Sequence, residues 1–151
     1  MDRSYSELTR LIERLHRRFL DVIRAELNRL GVRDLNGVQA LLLANIGDDE
    51  MAIRDLVERG YYQGSNVSYN IKKLTDMGYL TQERSQHDKR SVTVGLTDKA
   101  RKVVAQVKAL EERNASVFAE YVEEAQVSEV CQALRRLERT WADRIRYGTE
   151  E

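Results

Sequence analysis

Between Ser65 and Met77 two lysines, a tyrosine and several short hydrogen-bonding side chains recur on one side of a helical period. With Val67 as zero and about 100° per residue, Ile71 and Leu74 fall within about 40° of it and mark the side that must be buried. On the same projection Tyr69 lies at about 200°, Lys72 at about 140°, Lys73 at about 240°, Ser65 at about 160° and Asn66 at about 260°. Together with Ser68 they supply cations for phosphates, a stacking ring, and donors and acceptors for base edges. That is the equipment of a helix lying in a major groove. Any surface helix has a polar outer face, and Asp76, at about 180°, shares this one.

The run His87-Asp88-Lys89-Arg90 is a second group. Asp88 and Arg90 are two apart and share a side if the backbone there is extended. A carboxylate so placed holds a guanidinium in a fixed direction while it reaches into a minor groove. The plainer alternative is an exposed turn pair of little energetic consequence.

Charge is segregated along the chain. Residues 54–102 hold ten Lys/Arg and six Asp/Glu, residues 1–53 hold eight and nine, and residues 103–151 hold seven and ten. The zero total therefore hides a basic centre between acidic ends, a more useful footprint for a polyanion than the net charge suggests.

Other groups carry less. His16 flanks the apolar stripe of the first segment and Asn45 lies on that of the second. Polar groups on such faces line effector pockets or make satisfied interior hydrogen bonds, and both readings stay open. Cys131, four after Val127 and three before Leu134, falls on an apolar stripe and reads as packing; no second cysteine exists to resolve a sulfenate. Two distant histidines give no metal site, and Asp48, Asp49 and Glu50 read as a solvated turn. No glycine-rich phosphate loop, nucleophile elbow or HExxH motif occurs, so neither catalysis nor a cofactor is expected.

These groups need elements to hold them. The chain has 151 residues, 42% hydrophobic and 33% charged, which suits one folded domain and argues against disorder. No apolar run approaches a membrane span, and MDRSYSELTR lacks the core of a signal peptide. A single cysteine fits a reducing compartment, and a cytoplasmic location is expected.

Proline is absent, which permits long helices. Leu8, Leu11, Ile12, Leu15, Phe19, Val22, Ile23, Leu27 and Leu30 predict an amphipathic helix over 4–30. Asp34 is expected to cap a helix carrying Leu35, Val38, Leu41, Leu42 and Ile46, ended by Gly47. Short helices follow over about 52–59 and 65–77, the second starting at Ser65 and ending at Gly78. Segments 79–85 and 91–96 change to an alternating period and predict a β-hairpin with a charged tip. After Thr97, helices are expected over about 98–124 and 127–146, with Phe118 and Trp141 among their apolar residues.

Two short helices joined by a tight glycine-containing turn and followed by a β-hairpin make a winged helix-turn-helix. The fold class is mostly α (α+β), with a winged-helix lobe over 34–97 between long terminal helices over 1–30 and 98–151. A 27-residue helix spans about 40 Å, longer than a small domain is wide. Such helices would leave their apolar stripes wet unless two chains pack together as a dimer.

The residues Asp55-Leu56-Val57, Ser65-Asn66-Val67-Ser68, Leu74, Gly78-Tyr79-Leu80, Asp88-Lys89-Arg90-Ser91 and Leu96-Thr97 resemble the MarR family of bacterial transcriptional regulators over the whole chain. The GYYQGSNVSYN stretch is similar to an alphaproteobacterial subgroup that includes the regulator of an L,D-transpeptidase. The turn Tyr61-Tyr62-Gln63-Gly64 departs from the usual pattern, in which a glycine often stands at the Tyr61 position. The resemblance implies a homodimer on a palindromic double-stranded DNA operator, released or remodelled by a small-molecule effector. The DNA-binding set is then Ser65, Asn66, Ser68, Tyr69, Lys72, Lys73, Asp88, Lys89 and Arg90, with His16 and Asn45 as candidates for the effector pocket. The alternative from another class is a winged-helix module that turns the same basic face to an acidic protein.

Overall fold

The computed structural model describes residues 1–58, 64–88 and 90–148, the side chains of 64 and 65 excepted. In chain order these form α1 (Asp2–Arg29), α2 (Gly37–Ile46), β1 (Met51–Ala52), α3 (Ile53–Glu58), α4 (Gly64–Asp76), β2 (Leu80–Arg84), β3 (Val92–Leu96), α5 (Asp98–Phe118) and α6 (Glu124–Tyr147). Among the described residues no helix is long and apolar enough to cross a membrane. The chain divides into two compact units, Met1–Leu110 and Glu111–Glu151.

The first unit holds the core. Ile23 and Leu27 from the end of α1, Leu42 and Leu43 from α2, Leu56 from α3, Val67, Ile71 and Leu74 from α4, and Val94 from β3 are shielded from solvent. Helix α4 contributes the residues that its 3.6-residue period brings to one face, α2 is buried around most of its circumference, and β3 contributes the alternate positions Val94 and Leu96. The sheet is antiparallel in the order β1-β3-β2. Leu80 pairs with Leu96 at the base of the hairpin and Arg84 with Val92 near its tip.

Several boundaries differ from expectation. Asn36, not Asp34, caps α2: its side chain accepts from the Gln39 N–H at 2.8 Å, and Gln39 Oε1 accepts from the Asn36 N–H at 3.1 Å, a reciprocal capping box. Asp34 instead accepts the Tyr79 hydroxyl at 2.7 Å. The two-residue strand β1 was not expected, and it pairs Met51 with Val94 and Ala52 with Thr93. The helix expected over 98–124 stops at Phe118, and α6 starts at Glu124 behind a capping box of Glu123 and Gln126.

In the second unit α6 contains no buried residue. Val127, Cys131, Leu134, Leu137 and Trp141 are half-buried, while Val130 is exposed and Ile145 is 86% exposed. On α1, Leu11, Leu15, Phe19 and Val22 are exposed as well, Leu15 at 62%.

Candidate nucleic-acid interface

Helix α4 faces as its sequence period requires. Val67 and Leu74 are 0% exposed and Ile71 is 2% exposed, so one side is sealed in the core. Truncating such a residue, for example Leu74→Ala, costs about 2–5 kcal/mol. Asn66, Ser68, Lys72 and Lys73 are exposed on the other side, and Tyr69 is 64% exposed. Lys73 Nζ stands 5.8 Å from the centroid of the Tyr69 ring, within cation–π range. Asp76 is exposed too. The Ser65 side chain, Lys89 and the turn residues Tyr61, Tyr62 and Gln63 lie outside the described residues.

The middle and the C-terminal end of α4 are tied down. Gln39, almost fully buried, donates from Nε2 to Asn70 Oδ1 at 3.3 Å, linking the capping box of α2 to the middle of α4. At the C-terminus the Tyr79 N–H donates to the Leu74 carbonyl at 2.9 Å and the Gly78 N–H to the Thr75 carbonyl at 3.1 Å. Gly78 has φ +81°, the left-handed conformation this helix stop demands and a side chain would resist. Lys99 Nζ donates to the Met77 carbonyl at 2.9 Å, placing a cation at the negative end of the helix. The same ammonium lies 4.2 Å from the Tyr79 ring centroid and 3.6 Å from Asp34 Oδ2. Burial, reinforced by the hydrogen bond and the charge of Asp34, pushes the Tyr79 phenol well above its usual range, so it stays a neutral donor. Thr97 closes the frame: its hydroxyl accepts from the Ala100 N–H at 3.3 Å, capping α5, and donates to the Gly78 carbonyl at 2.7 Å.

The wing tip corrects one expectation. Asp88 Oδ1 accepts from the backbone N–H of Arg90 at 3.0 Å, and among the described residues the Arg90 guanidinium is in no ion pair. The segment turns rather than runs extended, with the Ser91 N–H donating to the Asp88 carbonyl at 3.0 Å. Side chains two apart then no longer share a side, and an Asp reaches the main chain two residues on, as in an Asx-turn. Asp88 shapes the backbone that carries Arg90 and leaves the guanidinium uncommitted.

The structure adds Arg54. The pairing of β1 with β3 sets the start of α3 beside the wing, where Ile53, Arg54, Asp88, Arg90, Ser91 and Val92 line one cleft of about 540 Å³. In the sequence Arg54 is an ordinary polar position of a short helix, and no period or motif marks it. His16 on α1 and Asn45 on α2 are both solvent-exposed. Among the described residues no three His, Cys, Asp or Glu side chains cluster as metal ligands.

Comparison with known proteins agrees with this geometry. Residues 35–100 match the family described as Winged helix DNA-binding domain. The exopolysaccharide II synthesis transcriptional activator ExpG of Rhizobium meliloti is 38% identical over 146 residues, covering 96% of this chain and 75% of that protein. A MarR transcriptional regulator from Methanosarcina mazei superposes with a TM-score of 0.74 at 20% identity, covering 91% of this chain and 98% of that one. BpsR of Bordetella bronchiseptica, whose DNA binding is regulated by 6-hydroxynicotinic acid, superposes with a TM-score of 0.70 at 18% identity, covering 87% and 98%. At such identities the structural likenesses establish the fold alone, whereas the R. meliloti relative carries the kinship in sequence. With a winged helix between long terminal helices and a close relative that activates transcription, the chain belongs to the MarR family of winged-helix transcriptional regulators.

Proposed function

We propose that the protein acts as a homodimer on a palindromic DNA operator in the cytoplasm and that a small molecule adjusts its affinity. In this reading α4 enters the major groove, where Asn66, Ser68 and Tyr69 meet base edges and Lys72 and Lys73 hold phosphates. The outer face of α4 carries the reading, because every one of these side chains is exposed while Val67, Ile71 and Leu74 are sealed behind them. The wing then sets Arg90 toward the neighbouring minor groove, where negative potential is focused.

Dimerisation is supported by the apolar residues left in water. Leu15 and Phe19 on α1 and Val130 and Ile145 on α6 are exposed in the single chain, and only a second surface removes them from solvent. Two half-sites about one helical turn of DNA apart would then be engaged together. Regulation by a small molecule is supported by the family and by the 6-hydroxynicotinic acid response of the structurally similar BpsR. His16 and Asn45 remain candidates for its site.

Selection of genomic fragments by the purified protein, followed by salt titration on the enriched duplex, tests the reading. A single pseudo-palindrome is expected, with affinity that falls steeply with salt but keeps its sequence preference. Recovery of no preferred sequence overturns it and favours the interaction module that turns the basic face to an acidic protein.

A further inference from the structure

The pairing of β1 with β3 delivers a cation to the wing from a separate element. The register Met51 with Val94 and Ala52 with Thr93 carries the chain into α3 so that Ile53 and Arg54 line the same cleft as Val92, Ser91, Arg90 and Asp88. Arg54 and Arg90 are both exposed, and among the described residues neither guanidinium is in an ion pair. Arg17, Arg24, Arg29 and Arg101 each pair with a carboxylate three or four residues away. Among the described residues Arg3, Arg10, Arg14, Arg18, Arg33 and Arg84 are in no ion pair either, so what distinguishes Arg54 and Arg90 is the cleft they share. Among the described residues that line the cleft Asp88 alone carries a carboxylate, and its Oδ1 accepts from the backbone N–H of Arg90 rather than from a guanidinium. The cleft therefore presents two guanidinium groups that are in no ion pair among the described residues and the Ser91 hydroxyl beside the apolar side chains of Ile53 and Val92, which is chemistry for an anion with several oxygens.

We propose that Arg54 binds a phosphodiester of the DNA backbone flanking the minor groove that receives Arg90. The wing then grips DNA with two arginines held by different elements, one on the hairpin and one at the β1–α3 corner. This inference rests on the DNA-binding reading above and adds a contact to it. A phosphate contact has a distinct signature: it strengthens binding to all sequences alike and releases counterions.

The experiment measures affinity of the dimer for a random-sequence duplex of about 30 base pairs, long enough for two half-sites, and for the genomic duplex recovered by selection, across a range of salt. Arg54→Ala is expected to weaken both by the same factor. The slope of log affinity against log salt becomes shallower by about one unit per subunit, roughly two per dimer, while Arg54→Lys keeps the wild-type slope. Arg54→Gln, which retains length and polarity, gives the same readout if alanine perturbs α3, and circular dichroism checks that perturbation. An unchanged slope in the uncharged variants, or a loss confined to the selected sequence, overturns the assignment of Arg54 while leaving the DNA-binding reading intact. A wild-type protein without salt-dependent affinity for either duplex overturns both.

Discussion

The Asp88 carboxylate holds the backbone N–H of Arg90 at 3.0 Å, so the wing's acid and base are joined through the main chain and the guanidinium remains available. An Asx-turn needs an acceptor oxygen and not a charge, and Asn supplies that oxygen as well as Asp does. Asp88→Asn is therefore expected to bind DNA at least as tightly as the wild type, because it removes a negative charge and keeps the turn. Asp88→Ala is expected to bind more weakly although it removes the same charge. Arg90→Ala should make the salt dependence shallower by about one unit per wing. Tighter binding by Asp88→Ala in a fluorescence anisotropy titration would mean that Asp88 acts only as a repulsive surface charge.

Lys72→Ala and Tyr69→Ala are expected to weaken operator binding without altering the melting temperature, since both side chains are exposed on α4. Val67→Asp should behave in the opposite way. It places a carboxylate where Val67 is 0% exposed, and an unpaired buried charge costs several kcal/mol. Thermal melts run beside binding titrations separate the two classes, and exchange of their phenotypes would invert the facing of the helix.

Leu134→Asp is expected to yield monomers by light scattering at micromolar concentration and to lose specific DNA binding in step. Leu134 is half-buried in the single chain, on the stripe of Val127, Cys131 and Trp141. A split dimer cannot engage two half-sites at once, so it forfeits the gain from the second contact. A variant that stays dimeric would move the interface away from this stripe.

Tyr79 gives a stability prediction with a definite sign. Its folded-state phenol titrates above the usual value of about 10, chiefly through burial and secondarily through Asp34. The stabilisation this represents is complete below about pH 10 and is lost as pH rises from there toward the folded-state value, because the unfolded chain releases the proton first. Tyr79→Phe should cost about 1 kcal/mol at neutral pH, where the hydroxyl still donates to Asp34. Above about pH 10 the difference should shrink, since phenylalanine has no proton to lose. Urea unfolding at pH 7 and pH 10.5 measures both, and a gap that widens with alkalinity would contradict the assignment.

The sequence by itself determined those features whose cause is local or periodic. Val67, Ile71 and Leu74 recur at helical spacing, so the facing of α4 and the exposure of Lys72 and Lys73 follow before any fold is known. Gly78 ends α4 because only glycine enters the left-handed conformation at low cost, and the alternation of Val92, Val94 and Leu96 marks the strand that follows. Other features depended on what lies opposite in space. Asp34 and Asn36 are both good capping residues, and Tyr79, far along the chain, takes Asp34 while Asn36 closes the capping box with Gln39. Val117, Phe118, Tyr121 and Val122 continue the apolar spacing of α5, yet the helix stops at Phe118 without a glycine or proline to signal it. Two residues, Met51 and Ala52, are too few to show an alternation, so β1 exists only because β3 offers it a free edge. That edge also sets Arg54 beside Arg90, a neighbourhood that sequence spacing cannot express. Periodicity reports which face of an element is buried; the partner an exposed side chain meets is settled only when distant segments pack.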